Sequence, residues 1–130
     1  MKAPVPVWIG RVLTGLFALF MLGASIYPKF FARQFVDPTM TQLGWPPSHA
    51  LMIGCLELAF LVLYLVPRTA VLGAVLMTGL LGGAIATQVR VGNPLLSHEL
   101  FGIYLGLFMW GGLWLRDPAV RALFPWRSAR

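Results

Sequence analysis

The stretch Thr69–Val89, TAVLGAVLMTGLLGGAIATQV, decides how the rest of the chain is read. It holds no charged side chain. About 20 such residues are what an α-helix needs to cross roughly 30 Å of hydrocarbon. In lipid the backbone polar groups must be satisfied within the segment, so a crossing run is helical. Within it, Gly79 and Gly83 stand four apart and share a helical face. Small residues at that spacing let helix backbones approach, and Gly102 and Gly106 repeat the device further on. These four glycines are therefore expected at helix crossings. The GLLGGA run, Gly79–Ala84, lies mid-helix, so it lacks the strand, turn and helix order of a dinucleotide site.

Three further apolar runs flank this one, giving expected helices over Val7–Tyr27, Ser48–Val66, Thr69–Val89 and Ser97–Leu115. Pro46 and Pro47 precede the second, Pro67 closes it, and Arg116, Asp117 and Pro118 close the fourth. The expected fold is all-α: one domain over residues 1–130, an antiparallel four-helix bundle in a membrane. The second and third helices are joined by little more than Pro67 and Arg68 and so form a hairpin. The first connection, Pro28 to Pro47, is longer. It mixes Phe30, Phe31 and Phe35 with Lys29, Arg33 and Gln34, which suits either a short helix lying in the interface or an ordered loop on the helix ends.

Composition agrees. The chain is 58% hydrophobic and 11% charged, whereas a soluble domain carries about 25% charge. The net charge of +6 does not form the basic, aromatic-lined face that nucleic acid needs; the bases punctuate apolar runs instead. Lys2, Arg11, Arg68, Arg116, Arg121, Arg127 and Arg130 fall on the side of the termini, and Lys29, Arg33 and Arg90 on the other. The positive-inside rule then places both termini in the cytoplasm, in what reads as a bacterial inner membrane. Ala24 and Ser25 could mimic a signal-peptidase site, but the run before them is long and three more spans follow. Cys55 has no partner for a disulfide and reads as a small buried residue.

Two sets of residues could carry chemistry. Glu57 lies near the middle of the second helix, where an ionised carboxylate is expensive. The sequence offers no cation at its depth on another helix, so the expectation is an uncompensated carboxyl, either a proton- or ligand-handling group or a structural one. Tyr64, seven residues on, shares its face. The second set is a polar ring at the mouth away from the termini: Tyr27, Lys29, His49, Gln88, Arg90, His98 and Glu99. It reads either as a headgroup, quinone or peptide site or as charges suited to the helix ends. No metal is expected, since no HxxxH, HExxH or Cys/His cluster is present. No catalytic pair can be assembled, and the residues themselves predict no cofactor.

Several motifs together resemble a known family. They include Tyr27-Pro28-Lys29; the run Gly54 to Pro67 with CLELAFLVLYLVP; and Pro67-Arg68-Thr69-Ala70-Val71-Leu72-Gly73-Ala74. Thr78-Gly79, Gly82-Gly83-Ala84, Ala86-Thr87, Arg90-Val91-Gly92, Pro94, Trp110 to Leu113 and Leu115-Arg116-Asp117-Pro118 complete the set. From Trp8 to Pro125 the chain is similar to the DoxX-like family of four-helix membrane proteins. One position departs: Gln88 stands where a histidine is expected after Ala-Thr, which weakens any mechanism needing an imidazole there. The family name implies a link to quinone oxidoreductase subunits, and thus a quinone as candidate ligand. More distant relatives imply chaperone or cargo-receptor roles.

Three functions follow as expectations. The first is a non-catalytic membrane subunit or assembly factor. The second is a quinone- or lipid-binding accessory of a membrane redox system, using Glu57 or the polar ring. The third is a small oligomeric transporter. The expected partners are membrane lipids, with a membrane protein or a second copy of the chain as candidates, and no nucleic acid.

Overall fold

The computed structural model describes residues 4–127. All regular elements among them are helical. Helix α1 spans Val5–Phe31, α2 Arg33–Gln42, α3 His49–Leu65, α4 Ala70–Val91, α5 Phe101–Arg116 and α6 Pro118–Leu123. A 3-10 turn, Pro67–Thr69, leads into α4, and a π turn, Leu95–Glu99, precedes α5.

Two helical segments, Val5–Phe31 and Pro67–Val91, are long and apolar enough to cross a membrane. The first outruns the expected end at Tyr27. Pro28 lacks an N–H and would orphan a carbonyl in a regular helix. The chain meets it with a π turn over Met21–Ile26, the kind of irregularity that lets a helix continue through such a position. The other two expected spans shorten to α3, 17 residues, and α5, 16 residues. At 1.5 Å per residue these are about 25 Å long. The segment between α1 and α3 does form a helix, α2, rather than a loop.

Packing is tight at the end that holds both termini. There α1 crosses α5 through Gly10 and Gly112: a Cβ on Gly10 would lie 2.7 Å from the Gly112 carbonyl oxygen. A Cβ on Gly112 would lie 2.6 Å from Thr14 Oγ1. In the α3–α4 hairpin, a Cβ on Gly73 would overlap the Tyr64 backbone, 2.7 Å from its Cα. Around these contacts Phe17, Leu61, Tyr64, Met77, Met109 and Leu113 are all but sealed from solvent. Burial then stops partway along two helices. On α4 the buried residues end at Leu81, and on α5 they begin only at Met109.

The expected glycine crossings lie elsewhere than the packing does. No atom stands within 4 Å of a Cβ built on Gly79, Gly83 or Gly106. Gly102 alone of the four is crowded, 2.7 Å from Ile85 Cγ1.

The outward faces are apolar. Trp8, Val12, Leu16 and Leu19 on α1, Val71, Leu72 and Val75 on α4, and Ile103 and Leu107 on α5 are exposed. A water-soluble monomer rarely shows continuous apolar faces of this extent. Cys55 belongs to this outer surface and is exposed, not buried as its residue type suggested.

Candidate functional site

Where burial stops, the helices diverge around a cavity of about 810 Å³. Its walls come from the π turn of α1, from α2, from the α3 segment around Glu57, from the second half of α4 and from the first turns of α5. Most of the lining is apolar, as in Phe20, Met52, Ile53, Leu80, Ile85 and Phe101. Among the described lining residues the charged side chains are Lys29 and Glu57.

These two meet. Lys29 Nζ lies 2.8 Å from Glu57 Oε1, with the side chains 16% and 8% exposed. The contact is an ion pair at hydrogen-bonding distance, and Oε1 is itself sealed from solvent. The Ser25 hydroxyl donates to Glu57 Oε2 at 2.5 Å. Lys29 in turn donates to the Ser25 carbonyl at 3.0 Å and to Ser25 Oγ at 2.9 Å. Ser25 and Lys29 are four apart, one helical turn, so both face α3. Gly54 makes the approach feasible: a Cβ there would stand 3.1 Å from Lys29 Cβ and 3.2 Å from Phe30 Cε2. The lysine stem lies across this gap, and its head reaches Glu57 one turn further along α3.

The expectation of an uncompensated Glu57 is thereby corrected. Lys29 does not join a ring at the mouth; its side chain runs back into the molecule. A buried carboxylate with a cation and a hydroxyl beside it loses much less on leaving water than an isolated one.

Tyr64 shares the α3 face with Glu57 but belongs to a different cluster. Its hydroxyl donates to the Met109 carbonyl at 2.5 Å and lies 3.3 Å from Thr14 Oγ1. The Arg116 guanidinium sits 5.1 Å from its ring centre and donates to Thr14 Oγ1 at 3.1 Å. This knot lies in the tight end and does not line the cavity.

The remaining residues of the expected ring disperse. Tyr27 is exposed and packs on Phe31. His49 neighbours Trp45, and its Nδ1 is buried without a hydrogen-bond partner. Gln88 lines the cavity and accepts from the Asn93 amide. Arg90 donates to the Leu43 carbonyl. The side chains of His98 and Glu99 lie outside the described residues.

Arg90 therefore fastens the connection between α1 and α3 as a cover. Residues 33–48 fold over the far end of the cavity, with Phe35, Val36, Thr39, Met40 and Trp45 facing it. Gly44, at φ +85°, makes the turn; its missing side chain also leaves room for the Arg90 guanidinium. Trp45 Nε1 donates to Thr87 Oγ1 at 3.3 Å, and Arg33 holds both Asp37, at 2.7 Å, and the Pro47 carbonyl, at 2.9 Å. The signal that could have found Ser25 was its one-turn spacing from Lys29. The cavity itself had none, since Gly83 read as a packing residue.

In comparison with known proteins, the profile of the DoxX-like family matches residues 12–112. No curated protein and no solved structure matches the chain.

Proposed function

Because the chain belongs to the DoxX-like family, a family of small membrane proteins, we propose that it is a non-catalytic accessory subunit that holds a membrane-soluble amphiphile, a quinone or another lipid, in this cavity. The observation that carries this reading is the mismatch between the two halves of the molecule. A chain built only to pack would close its second half as it closes its first. Instead the helices enclose about 810 Å³ of apolar space around one buried charged pair. Ligand pockets have this make-up: apolar walls, a volume of roughly 300–1,000 Å³ and a few convergent polar groups. The pair would meet the headgroup and the walls would hold the tail. A redox partner would supply any electron chemistry.

In this reading α1, α3, α4 and α5 form an antiparallel transmembrane bundle. Both termini are cytoplasmic, following the surplus of Lys and Arg on their side. α2 rests in the opposite interface as the cover. A C-terminal alkaline phosphatase fusion should then be inactive and a fluorescent-protein fusion bright; an active phosphatase would reverse the orientation.

The direct test is extraction and mass spectrometry of protein purified in mild detergent. A stoichiometric isoprenoid quinone or lipid should co-purify with wild type and be depleted in Gly83→Leu, which projects into the cavity. A wild-type protein that carries no amphiphile and whose melting does not respond to added quinone or lipid would overturn the reading and return the chain to a purely structural subunit.

A further inference from the structure

We propose that the cavity exchanges its amphiphile sideways with the hydrocarbon of the surrounding bilayer, through the seam between α3 and α4, and that Trp45 bars this portal by its hydrogen bond to Thr87. This rests on the reading that the cavity holds a membrane amphiphile.

Around the cavity the four long helices meet along four seams, in the order α1, α3, α4, α5. Three are shut at its level. Between α1 and α3, Lys29 reaches Glu57 at 2.8 Å and its stem lies against Gly54. Between α4 and α5, a Cβ on Gly102 would stand 2.7 Å from Ile85 Cγ1 and 3.1 Å from the Leu81 carbonyl oxygen. Between α5 and α1, the rings of Phe101 and Phe20 meet with centroids 5.3 Å apart. The α3–α4 seam differs. Its terminal end is closed where Gly73 meets Tyr64. An antiparallel hairpin paired there sets Leu56 beside Leu80 and Met52 beside Ala84. Burial on α4 stops at Leu81, however. Past it, Met52 and Leu56 on α3 and Gly83 and Ala84 on α4 are walls of the cavity and yet exposed on the outer surface. Residues with both attributes stand at an opening. Phe20 and Phe101 share them, but there two rings fill the gap. Here no atom lies within 4 Å of a Cβ built on Gly83.

The chemistry of the rim suits a tail. Met52, Leu56, Leu80, Gly83 and Ala84 offer it no charge and no side-chain hydrogen-bonding group. A tail leaving past the cover would enter the headgroups and water, where every exposed methylene is penalised; a tail leaving through the seam stays in hydrocarbon throughout. Two bonds strap the outer end of the gap. Trp45 Nε1 donates to Thr87 Oγ1, and Arg90 donates to the Leu43 carbonyl. Both join the end of the cover that leads into α3 to the last turns of α4. The Trp45 bond is the weaker bar. At 3.3 Å it is longer than most N–H···O bonds, and the indole is exposed. Thr87 gives its own proton to the Gly83 carbonyl, so the threonine serves Trp45 as an acceptor.

The test follows exchange of two probes, radiolabelled decylubiquinone and radiolabelled hexadecanol, on full-length protein in mild detergent. Bound label is chased with unlabelled probe, and the label kept by resin-captured protein is measured with time. In a Cys55→Ser background, Met52→Cys and Ala84→Cys are joined by a bismaleimide that carries a disulfide. Joining them after loading should abolish release, and cutting the linker with reductant should restore it. Leu56→Cys with Leu80→Cys crosses the same seam and should behave alike. Two further variants need no cross-link: Trp45→Phe and Thr87→Val each remove the bar and should release the probe about two- to tenfold faster. Loading should quicken by the same factor, because a gate changes both rates and leaves the affinity alone. Unaltered release from the bridged seam would leave the cavity reading intact and overturn the portal. So would release that stops instead when Phe20→Cys is joined to Phe101→Cys. Wild-type rates in both Trp45→Phe and Thr87→Val would overturn the bar even if the cysteine variants fail to fold. A wild-type protein that retains neither probe would overturn portal and cavity reading together.

Discussion

At the end that holds the termini, Gly10 and Gly112 bring two helix backbones into contact and Tyr64 ties three helices with one hydroxyl. At the other end the same helices stand apart, and the space between them is bounded by Gly83, Ala84 and a charged pair. Both ends are rich in glycine. What differs is what particular glycines face: backbone at Gly10, Gly73 and Gly112, open space at Gly79 and Gly83. Small residues in a lipid-facing sequence therefore carry two unlike meanings, close approach and vacancy, and spacing along one helix does not separate them.

The contrast can be broken most sharply at Gly73. A leucine there must displace the Tyr64 backbone, so we expect a loss of about 3 kcal/mol, the upper end of overpacking costs, in reversible unfolding by denaturing detergent. A near-normal Gly73→Leu protein would mean that the terminal end is not closed. Next in size is the Lys29–Glu57 pair. Lys29→Met and Glu57→Gln each leave a buried group without its partner, whereas the double variant leaves neither. The double-variant cycle should return a coupling of about 1–3 kcal/mol, and additive losses would show that the pair does not form. Tyr64→Phe comes third. It removes the donor to the Met109 carbonyl while keeping the ring, and should cost about 1 kcal/mol. Ligand retention should be unchanged, since Tyr64 does not line the cavity; loss of the ligand would merge the two ends into one site. The smallest effect is expected for Gly83→Leu, within about 0.5 kcal/mol of wild type in ligand-free protein. A large loss there would restore Gly83 to a helix crossing.

Much of the fold is legible in the amino-acid sequence. The charge-free run Thr69–Val89, the Pro67-Arg68 hairpin turn and the stop at Asp117-Pro118 are local signals, and each element they delimit is present. Gly92, at φ +74°, ends α4 within the expected turn between the third and fourth apolar runs. The first helix is harder because Pro28 looks like a terminator. Only the preceding π turn lets the helix run on to Phe31, and no composition rule announces it. The consequence reaches the site. With the helix ended at Tyr27, Lys29 belongs at a mouth; with the helix continued, Ser25 and Lys29 share a turn and both reach Glu57. The Gly10–Gly112 contact is hidden for a different reason: its two halves sit in the first and last long helices, and neither carries a repeat.

The walls of the cavity also differ in how much freedom they have to lose. At Gly83 and Ala84 the α4 wall has no side-chain torsions to freeze when a tail lies against it, so contact at those two positions carries no rotamer-entropy cost. The facing side is set with Met21, Met40 and Met52, whose unbranched thioethers re-form around an irregular shape at little expense. A wall with a bare patch opposite a pliable one tolerates tails of varied length and branching. Such a protein would recognise its ligand by one end only, and a membrane containing a family of homologous tails would load it as a mixture.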